Sequence, residues 1–358
     1  MSDFLIVGGG IAGLSTAAAL APLGEVVLLE AEEALGYHAS GRSAAMFLES
    51  YGNDVVRALN EASTGGLTSF AGGVLSPRGV LTLARADQTE ALDHALDDPG
   101  TVEISVSDAM DRVSILNCET VHRVALTEGA QDLDTDRLLQ HFRREALAKG
   151  ARIATGRKVT GIERGATGWV VTSGDQMFAA QTLVNAAGAW ADLVAEMAGV
   201  PPLGLQPLRR SAARVPAPGG YDTRAWPMLL GAEEDWYAKP DAGAWLISPS
   251  EEHPAEPHDA WADDMVLAEG IARYQEMVTD EVIRLEVSWA GLRTFAPDRA
   301  LVLGPDPAAP DFVWCAGQGG YGFQTCVAAS QLLQQGLSGG GTDLPAAVVA
   351  ALSPGRFS

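Results

Sequence analysis

Cysteine is nearly absent, with three residues in a chain of 358: Cys118, Cys315 and Cys326. They are odd in number, widely spaced and without a C-x-x-C pattern, which argues against a disulfide framework and against a zinc site. Histidine is also sparse, at six residues. No H-E-x-x-H pairing occurs, and His253 and His258 fall in an acidic, proline-containing stretch that reads as a solvated loop rather than a ligand set. No metal is expected. Basic residues are outnumbered, with 24 Lys and Arg against 46 Asp and Glu and a formal net charge of −22. Such a surface repels nucleic acid and anionic membrane, so neither is expected as a partner. Long apolar runs are missing as well. The hydrophobic residues between Phe4 and Leu29 follow Ser2 and Asp3 instead of a basic region, and Pro22, Gly24 and Glu25 interrupt them. That pattern suits neither a membrane span nor a secretory leader, and the expectation is a soluble, cytoplasmic protein.

What is present concentrates at the start. Phe4–Val7 is a short uncharged apolar run, followed by Gly8-Gly-Gly10-Ile-Ala-Gly13 and an Ala- and Leu-rich stretch from Leu14 to Leu23. A second apolar run, Val26–Leu29, ends at Glu30. This reads as strand, tight turn, helix and strand, the context in which G-x-G-x-x-G binds a dinucleotide. Gly8 makes the turn, Gly10 lets backbone approach a pyrophosphate, and Gly13 lets helix and strand pack closely. The helix start then offers unpaired N–H groups and a positive dipole end to the phosphates. Glu30 is placed to accept from a ribose hydroxyl.

The length suggests two domains. After Glu30 a loop of small residues, Gly36-Tyr-His-Ala-Ser-Gly-Arg-Ser-Ala-Ala45, carries Ser40, Arg42 and Ser43 as donors for phosphate or flavin oxygens. A mobile surface loop is the plainer alternative. Asn53 to Ala71 reads as an amphipathic helix, and Val74 to Leu83 as two strands around Pro77-Arg-Gly79. Residues 84 to 115 have a helical pattern. Thr135 to Lys149 reads as a helix stopped by Gly150, followed by a strand at Ala151–Ala154. Lys158–Ile162 and Gly168–Thr172 are β-rich runs, and Thr182–Trp190 is a buried strand breaking into small residues beside a nucleotide. Residues 199 to 260 are proline-rich with Trp226, Trp236, Tyr237 and Trp245 on short β-like runs, read as the antiparallel sheet of a second domain. A helix is expected from Ala262 to Thr279. Strand, glycine turn and helix recur from Phe312 to about Leu337.

Two glycine-rich strand-to-helix turns at opposite ends of one chain make sense if both aim at one large cofactor. The second helix, starting near Gly322, points its positive end at a group that gains negative charge, as a flavin does on reduction; such a dipole contributes about 0.3–1 kcal/mol. NAD needs only the first turn, so FAD is expected. Arg209, Arg210 and Arg293 lie beside apolar and aromatic runs and are candidates to clamp a substrate carboxylate. An ion pair with one of the many acids is the ordinary alternative for any one of them.

The segments Asp3–Gly13, Gly36–Ala45, Leu183-Val-Asn-Ala-Ala-Gly-Ala-Trp190, Trp289-Ala-Gly-Leu-Arg-Thr-Phe295 and Gln318-Gly-Gly-Tyr-Gly-Phe-Gln-Thr325 resemble the FAD-dependent D-amino-acid oxidase and glycine oxidase family. Within it the chain looks most like the bacterial D-arginine dehydrogenases, over nearly its whole length. Gly204–Pro207, Arg209–Ala212 and Lys239–Gly243 match too. The resemblance implies an α/β fold: a Rossmann-like FAD-binding domain with a second α+β substrate domain built on an antiparallel sheet. The expected cofactor domain is discontinuous (1–75, 133–198 and 295–358), and the substrate domain takes 76–132 and 199–294. It further implies that Arg210 and Arg293 hold the substrate carboxylate, that Tyr51 and Tyr237 close over the substrate, and that the Gly320 carbonyl accepts from its amine. Cofactor contacts implied are Gly8, Gly10, Ile11, Ala12 and Gly13 at the first turn, with Glu30, Ser40, Arg42, Ser43 and Ala44 after it. Val159, Ala187, Gly188 and Trp190 follow, and then Gly319, Gly320, Tyr321, Gly322, Gln324 and Thr325 at the second turn.

Two positions depart from that pattern. The glutamate that pairs with the D-arginine guanidinium aligns with Val80, and a histidine of the same pocket aligns with Met46. A buried, unpaired cation would cost several kcal/mol, so a neutral, apolar D-amino acid is the expected substrate. The implied reaction is oxidative deamination. The clamp holds the α C–H against flavin N5 for hydride transfer, the amine reacts in its neutral form, and the imine hydrolyses to a 2-oxo acid and ammonia. The strand Ala244–Ser248 lacks the lysine with which sarcosine-type oxidases promote reaction with oxygen, which favours a quinone or other carrier as acceptor. No cysteine follows the Arg293 region, so non-covalent FAD is expected. The alternatives are an oxygen-using amino-acid or N-methyl amino-acid oxidase, and the flavoprotein subunit of a heteromeric dehydrogenase.

Overall fold

The computed structural model describes residues 1–357. Its first layer is an eight-stranded sheet. Ser2–Val7 lies at the centre, parallel to Val26–Leu29 on one side and Gln176–Asn185 on the other. Arg152–Ala154 continues the sheet beyond Val26–Leu29, and Phe312–Ala316 runs parallel to the far end of Gln176–Asn185. The central strands are apolar on both faces, as a sheet covered on both sides requires, and Leu5, Ile6 and Leu28 are fully buried. One face packs on the helices Ile11–Leu20 and Gly322–Ser338 through Leu14, Val184, Val313 and Phe323. The other buries Trp169, Phe312 and Trp314, whose indole N–H reaches Asp306 at 3.0 Å.

A nine-stranded sheet forms the second layer. Val287–Phe295, Gln206–Val215, Ala244–Ser248, Tyr237–Asp241 and Met228–Gly231 are antiparallel neighbours in that order. Met228–Gly231 then pairs parallel with Val80–Ala84, which leads to Arg123–Thr127 and Thr101–Ile104. Met46–Phe47, Gln131–Leu133 and Leu75–Pro77 form a separate three-stranded sheet, with Gln131–Leu133 in the middle.

The sequence reading needs amendment in three places. Residues 84 to 115 are not helical throughout: Thr101–Ile104 is a strand between the helices Thr89–Leu96 and Val106–Arg112. Its β-branched residues pair with Arg123–Thr127, and that partner overrides the local pattern. Leu75–Pro77 and Val80–Ala84 do not pair with each other; the turn at Gly79 (φ +74°) hands the chain from one sheet to another. The strand expected at Lys158–Ile162 begins only at Gly161.

Helix starts differ in how they are capped. Those at Asp54, Thr135 and Asp264 are capped by the side chains of Asn53, Asp134 and Asp263. Ile11–Leu20 and Gly322–Ser338 follow Gly10 and Tyr321, neither of which offers a side-chain cap. Both of these ends open on the same cavity.

Candidate active site

The cavity between the two sheets measures about 1710 Å³, larger than the roughly 300–1,000 Å³ of an ordinary small-molecule site. At one end it is lined by Gly8–Ala12, Glu30, Ser40 and Ser43, with Val159, Ala187, Gly188 and Trp190 opposite. Gly8 has φ +109°, and a Cβ there would overlap the Ala186 carbonyl oxygen. A Cβ on Gly13 would overlap the Gly8 carbonyl, which is the close helix–strand approach read from the motif. Gly10 differs. Its added Cβ meets only Ser40 Oγ, at 3.0 Å, so its face is open to a ligand. Ser40 Oγ also accepts from the Ile11 N–H at 3.0 Å. The buried Glu30 accepts from the Gly9 N–H at 2.6 Å and the Glu32 N–H at 2.9 Å, which fixes its carboxylate at the turn.

Three residues named from the sequence take other places. Arg42 lines the cleft, but its guanidinium donates to the carbonyls of Ala260 (2.7 Å) and Ala290 (2.8 Å) and pairs with Asp259. It ties the loop to the second layer, its guanidinium held by groups of the protein itself. Gly13 lies behind the cleft wall, and Thr325 is fully buried with its hydroxyl on the Tyr321 carbonyl at 2.9 Å. Gln324, by contrast, lines the cavity and accepts from the Leu48 N–H at 2.9 Å.

At the other end the strand register decides which arginine faces the cavity. Leu208 pairs with Arg293 and Arg210 with Gly291, so Arg210 and Arg293 are diagonal neighbours on one face. Arg209, one residue away, points to the opposite face, near Glu251 (3.6 Å) and Asp263 (3.7 Å). Nη2 of Arg293 donates to the Tyr51 hydroxyl at 3.3 Å, and the Tyr51 and Tyr321 rings meet edge-on at 5.4 Å. Gly320 lies against the same guanidinium. Burial and the neighbouring Arg293 charge lower the Arg210 pKa, but a guanidinium stays protonated. For Arg293, burial acts downward and is outweighed by Tyr51, Tyr237 and Glu252, so its pKa is raised.

Two residues here escaped the sequence reading. Glu252 Oε1 lies 3.3 Å from both Arg210 Nη2 and Arg293 Nη1, and both its oxygens lie 3.0 Å from Arg299 Nη2. Arg299 in turn stacks on Phe295, 3.9 Å from the ring centroid. Neither belongs to a recognisable motif, and Glu251-Glu252 reads as ordinary surface acid.

The family model for FAD dependent oxidoreductases (DAO) matches residues 3–335. The chain belongs to that family. A curated relative is the hydrogen cyanide synthase subunit HcnC of Pseudomonas aeruginosa, 26% identical over 206 residues. That match covers 56% of this chain and 47% of HcnC, so the chain spans about half the length of that relative. Among solved structures, glycine oxidase from Geobacillus kaustophilus superposes with a TM-score of 0.83 at 21% identity, covering 98% of each chain. The L-α-glycerophosphate oxidase of Mycoplasma pneumoniae with FAD bound gives 0.84 at 18% identity, covering 94% of each. These share the fold. Their named substrates differ in kind, so the fold alone leaves this enzyme's substrate open.

The residues of the chain fit the FAD of that family: two helix ends, the bare face of Gly10 and the fixed carboxylate of Glu30 share one cavity. Among the described residues, none of the three cysteines lines that cavity. Nor is any helix long and apolar enough to cross a membrane.

The far wall is built on two paired strands. Val80 and Thr82 on one strand face the cavity with Met228 and Leu230 on the next, and Met46 and Tyr237 close it. Ala244–Ser248 has no lysine, but the adjacent strand contributes the buried Lys239. Its ammonium donates to the Ala44 carbonyl at 2.9 Å and pairs with Asp132, behind the loop that lines the cleft.

Proposed function

We propose that this oxidoreductase is a D-amino-acid dehydrogenase acting on a neutral, apolar substrate. The observation that carries the reading is the pairing of Arg210 and Arg293 on one face of the Gln206–Val215 and Val287–Phe295 strands, beside an apolar wall of Met46, Val80, Met228 and Leu230. Two guanidiniums recognise a carboxylate with geometric as well as electrostatic selectivity. The apolar wall suits a side chain without charge, since none of those four side chains offers an anion to a basic group. The Gly320 carbonyl beside Arg293 is the proposed acceptor for the substrate amine, with Tyr51 and Tyr237 over the bound molecule. When bound, the flavin supplies the two-electron acceptor for the substrate α C–H. The protein's part is positioning: the clamp fixes the carboxylate so that the α carbon has one orientation. The imine product then hydrolyses to a 2-oxo acid and ammonia.

Residues 1–75, 133–198 and 295–358 are proposed to hold the cofactor, non-covalently, and 76–132 and 199–294 the substrate. The D configuration and the likeness to D-arginine dehydrogenases rest on the motif resemblance described above. A carrier such as a quinone is the proposed acceptor; peroxide formed stoichiometrically during turnover in air would instead make the protein an oxidase. A second reading is favoured by the likeness to HcnC, which is named as a subunit. On it the chain is the flavoprotein subunit of a heteromeric dehydrogenase. Anaerobic reduction of the purified protein's flavin by an amino acid, with no other chain present, contradicts that reading.

A further inference from the structure

The arginine clamp already contains a carboxylate. Glu252 touches three guanidiniums, but not equally: both oxygens lie 3.0 Å from Arg299 Nη2, whereas only Oε1 reaches Arg210 and Arg293, at 3.3 Å each. It is anchored on Arg299 and leans into the clamp. The position is built by the backbone. Ser250, at φ +55°, turns the chain so that two adjacent glutamates serve two adjacent arginines on opposite faces of the sheet. Glu251 goes to Arg209 and accepts from the Ser211 N–H at 2.8 Å, while Glu252 goes to Arg210. The Glu251 carbonyl also holds Arg210 Nε at 2.8 Å, so the loop and the clamp are one unit. Arg299 itself has φ +61° and is braced on Phe295. Three cations against one anion leave capacity for a second carboxylate.

We infer that Glu252 is a specificity-determining residue that acts by carboxylate exchange. The substrate carboxylate takes over Arg210 Nη2 and Arg293 Nη1 from Glu252 Oε1, and Glu252 withdraws onto Arg299. Glu252 is then an internal competitor that sets the affinity for every carboxylate ligand. It also favours ligands that can bridge two guanidiniums over anions that make a single contact. Arg299 is a positioning residue that limits how far Glu252 enters the clamp. This inference rests on the proposed clamp role of Arg210 and Arg293.

The test uses the FAD-loaded protein and benzoate, a carboxylate without an amine. Binding is followed by the change in flavin absorbance and by calorimetry, neither of which requires turnover. Glu252→Gln keeps the shape and removes the charge, and is expected to tighten benzoate by roughly tenfold. Arg299→Ala frees Glu252 to settle on Arg210 and Arg293, and is expected to weaken benzoate by about tenfold. In the Glu252→Gln background the same Arg299→Ala change is expected to have little effect. If Glu252→Gln does not retain flavin, Glu252→Asp draws the carboxylate back by one methylene and carries the same expectation of tighter binding. Equal or weaker benzoate binding in Glu252→Gln, with Arg293→Ala still impairing it, would overturn the exchange and leave the clamp standing. Benzoate binding that ignores Arg293→Ala would overturn the clamp reading itself.

Discussion

A Cβ built on Gly320 would overlap Nη2 of Arg293 and lie 2.6 Å from its Nε, so the guanidinium rests directly against the glycine backbone. The second glycine turn is thus fitted directly to the arginine, and the Gly319 N–H donates to the Thr294 carbonyl at 2.8 Å. Gly319 makes the same fit to Phe295, whose ring a Cβ would overlap.

Gly320→Ala is expected to displace the Arg293 side chain and raise KM for amino acids, with a stability loss of about 1–3 kcal/mol from overpacking. Arg293→Ala removes the obstacle. In a double-mutant cycle the two changes are expected to be strongly non-additive, Gly320→Ala having little further effect once Arg293 is gone. Additive losses would mean that the contact is not what each substitution disrupts.

Neighbouring arginines are expected to behave differently. Arg293→Ala deletes the proposed cationic partner of the substrate carboxylate and is expected to weaken substrate binding by about 2–5 kcal/mol, read as KM or Kd. Arg209→Ala lies on the opposite face and leaves the buried Glu251 without its nearest cation. It is expected to lower stability in a denaturant titration while KM stays close to that of the parent.

The difference between these arginines shows where the sequence stopped being informative. Gly8 to Gly13 announced a turn because backbone geometry is local: a positive φ and a close helix–strand approach admit little but glycine. The second turn at Gly319–Gly322 was legible for the same reason. Arg209 and Arg210 cannot be told apart without the register of Gln206–Val215 against Val287–Phe295, which is a property of two distant segments. Arg42 looked like a phosphate donor in its own loop, but Asp259, Ala260 and Ala290 meet it only in the fold. Glu252 and Arg299 lie 47 residues apart and become partners through tertiary structure alone. Thr101–Ile104 became a strand because Arg123–Thr127 offered it an edge.

Acid should separate Glu252 from its arginines. Burial raises its pKa, but the hydrogen bond from Arg299 and the charges of Arg293, Arg299 and Arg210 outweigh that and leave it below the ordinary 4.5. A depressed carboxylate pKa gives stability that is fully present above 4.5 and is lost as pH falls through the lower, folded value. The parent is therefore expected to exceed Glu252→Gln in stability at neutral pH, the gap closing in denaturant titrations carried out below that value. A gap that widens on acidification would contradict the assigned pairing.

Thiol labelling offers a check on the core. Burial pushes the Cys315 thiol up to about 11 and raises that of Cys326 further, while Cys118 is exposed. Since the thiolate is the reactive form, Cys118 is expected to react in the native protein and the other two only after unfolding. Rapid native labelling of all three would show that the packing around the Gly322–Ser338 helix is looser than described.

The apolar wall can be converted. Val80→Glu places a carboxylate among Met46, Met228 and Leu230. Its anion is expected to shift preference from apolar amino acids towards D-arginine and D-lysine, read as the ratio of kcat/KM values, because it supplies the partner a basic side chain lacks. An unchanged ratio would remove Val80 from the substrate pocket.

The central claim is tested most directly by anaerobic absorbance of the FAD-loaded protein mixed with a panel of D- and L-amino acids. The expected result is bleaching of the flavin band, fastest with a D-amino acid bearing a neutral, apolar side chain. Fastest bleaching by D-arginine or D-lysine, or none by any member of the panel, would contradict it.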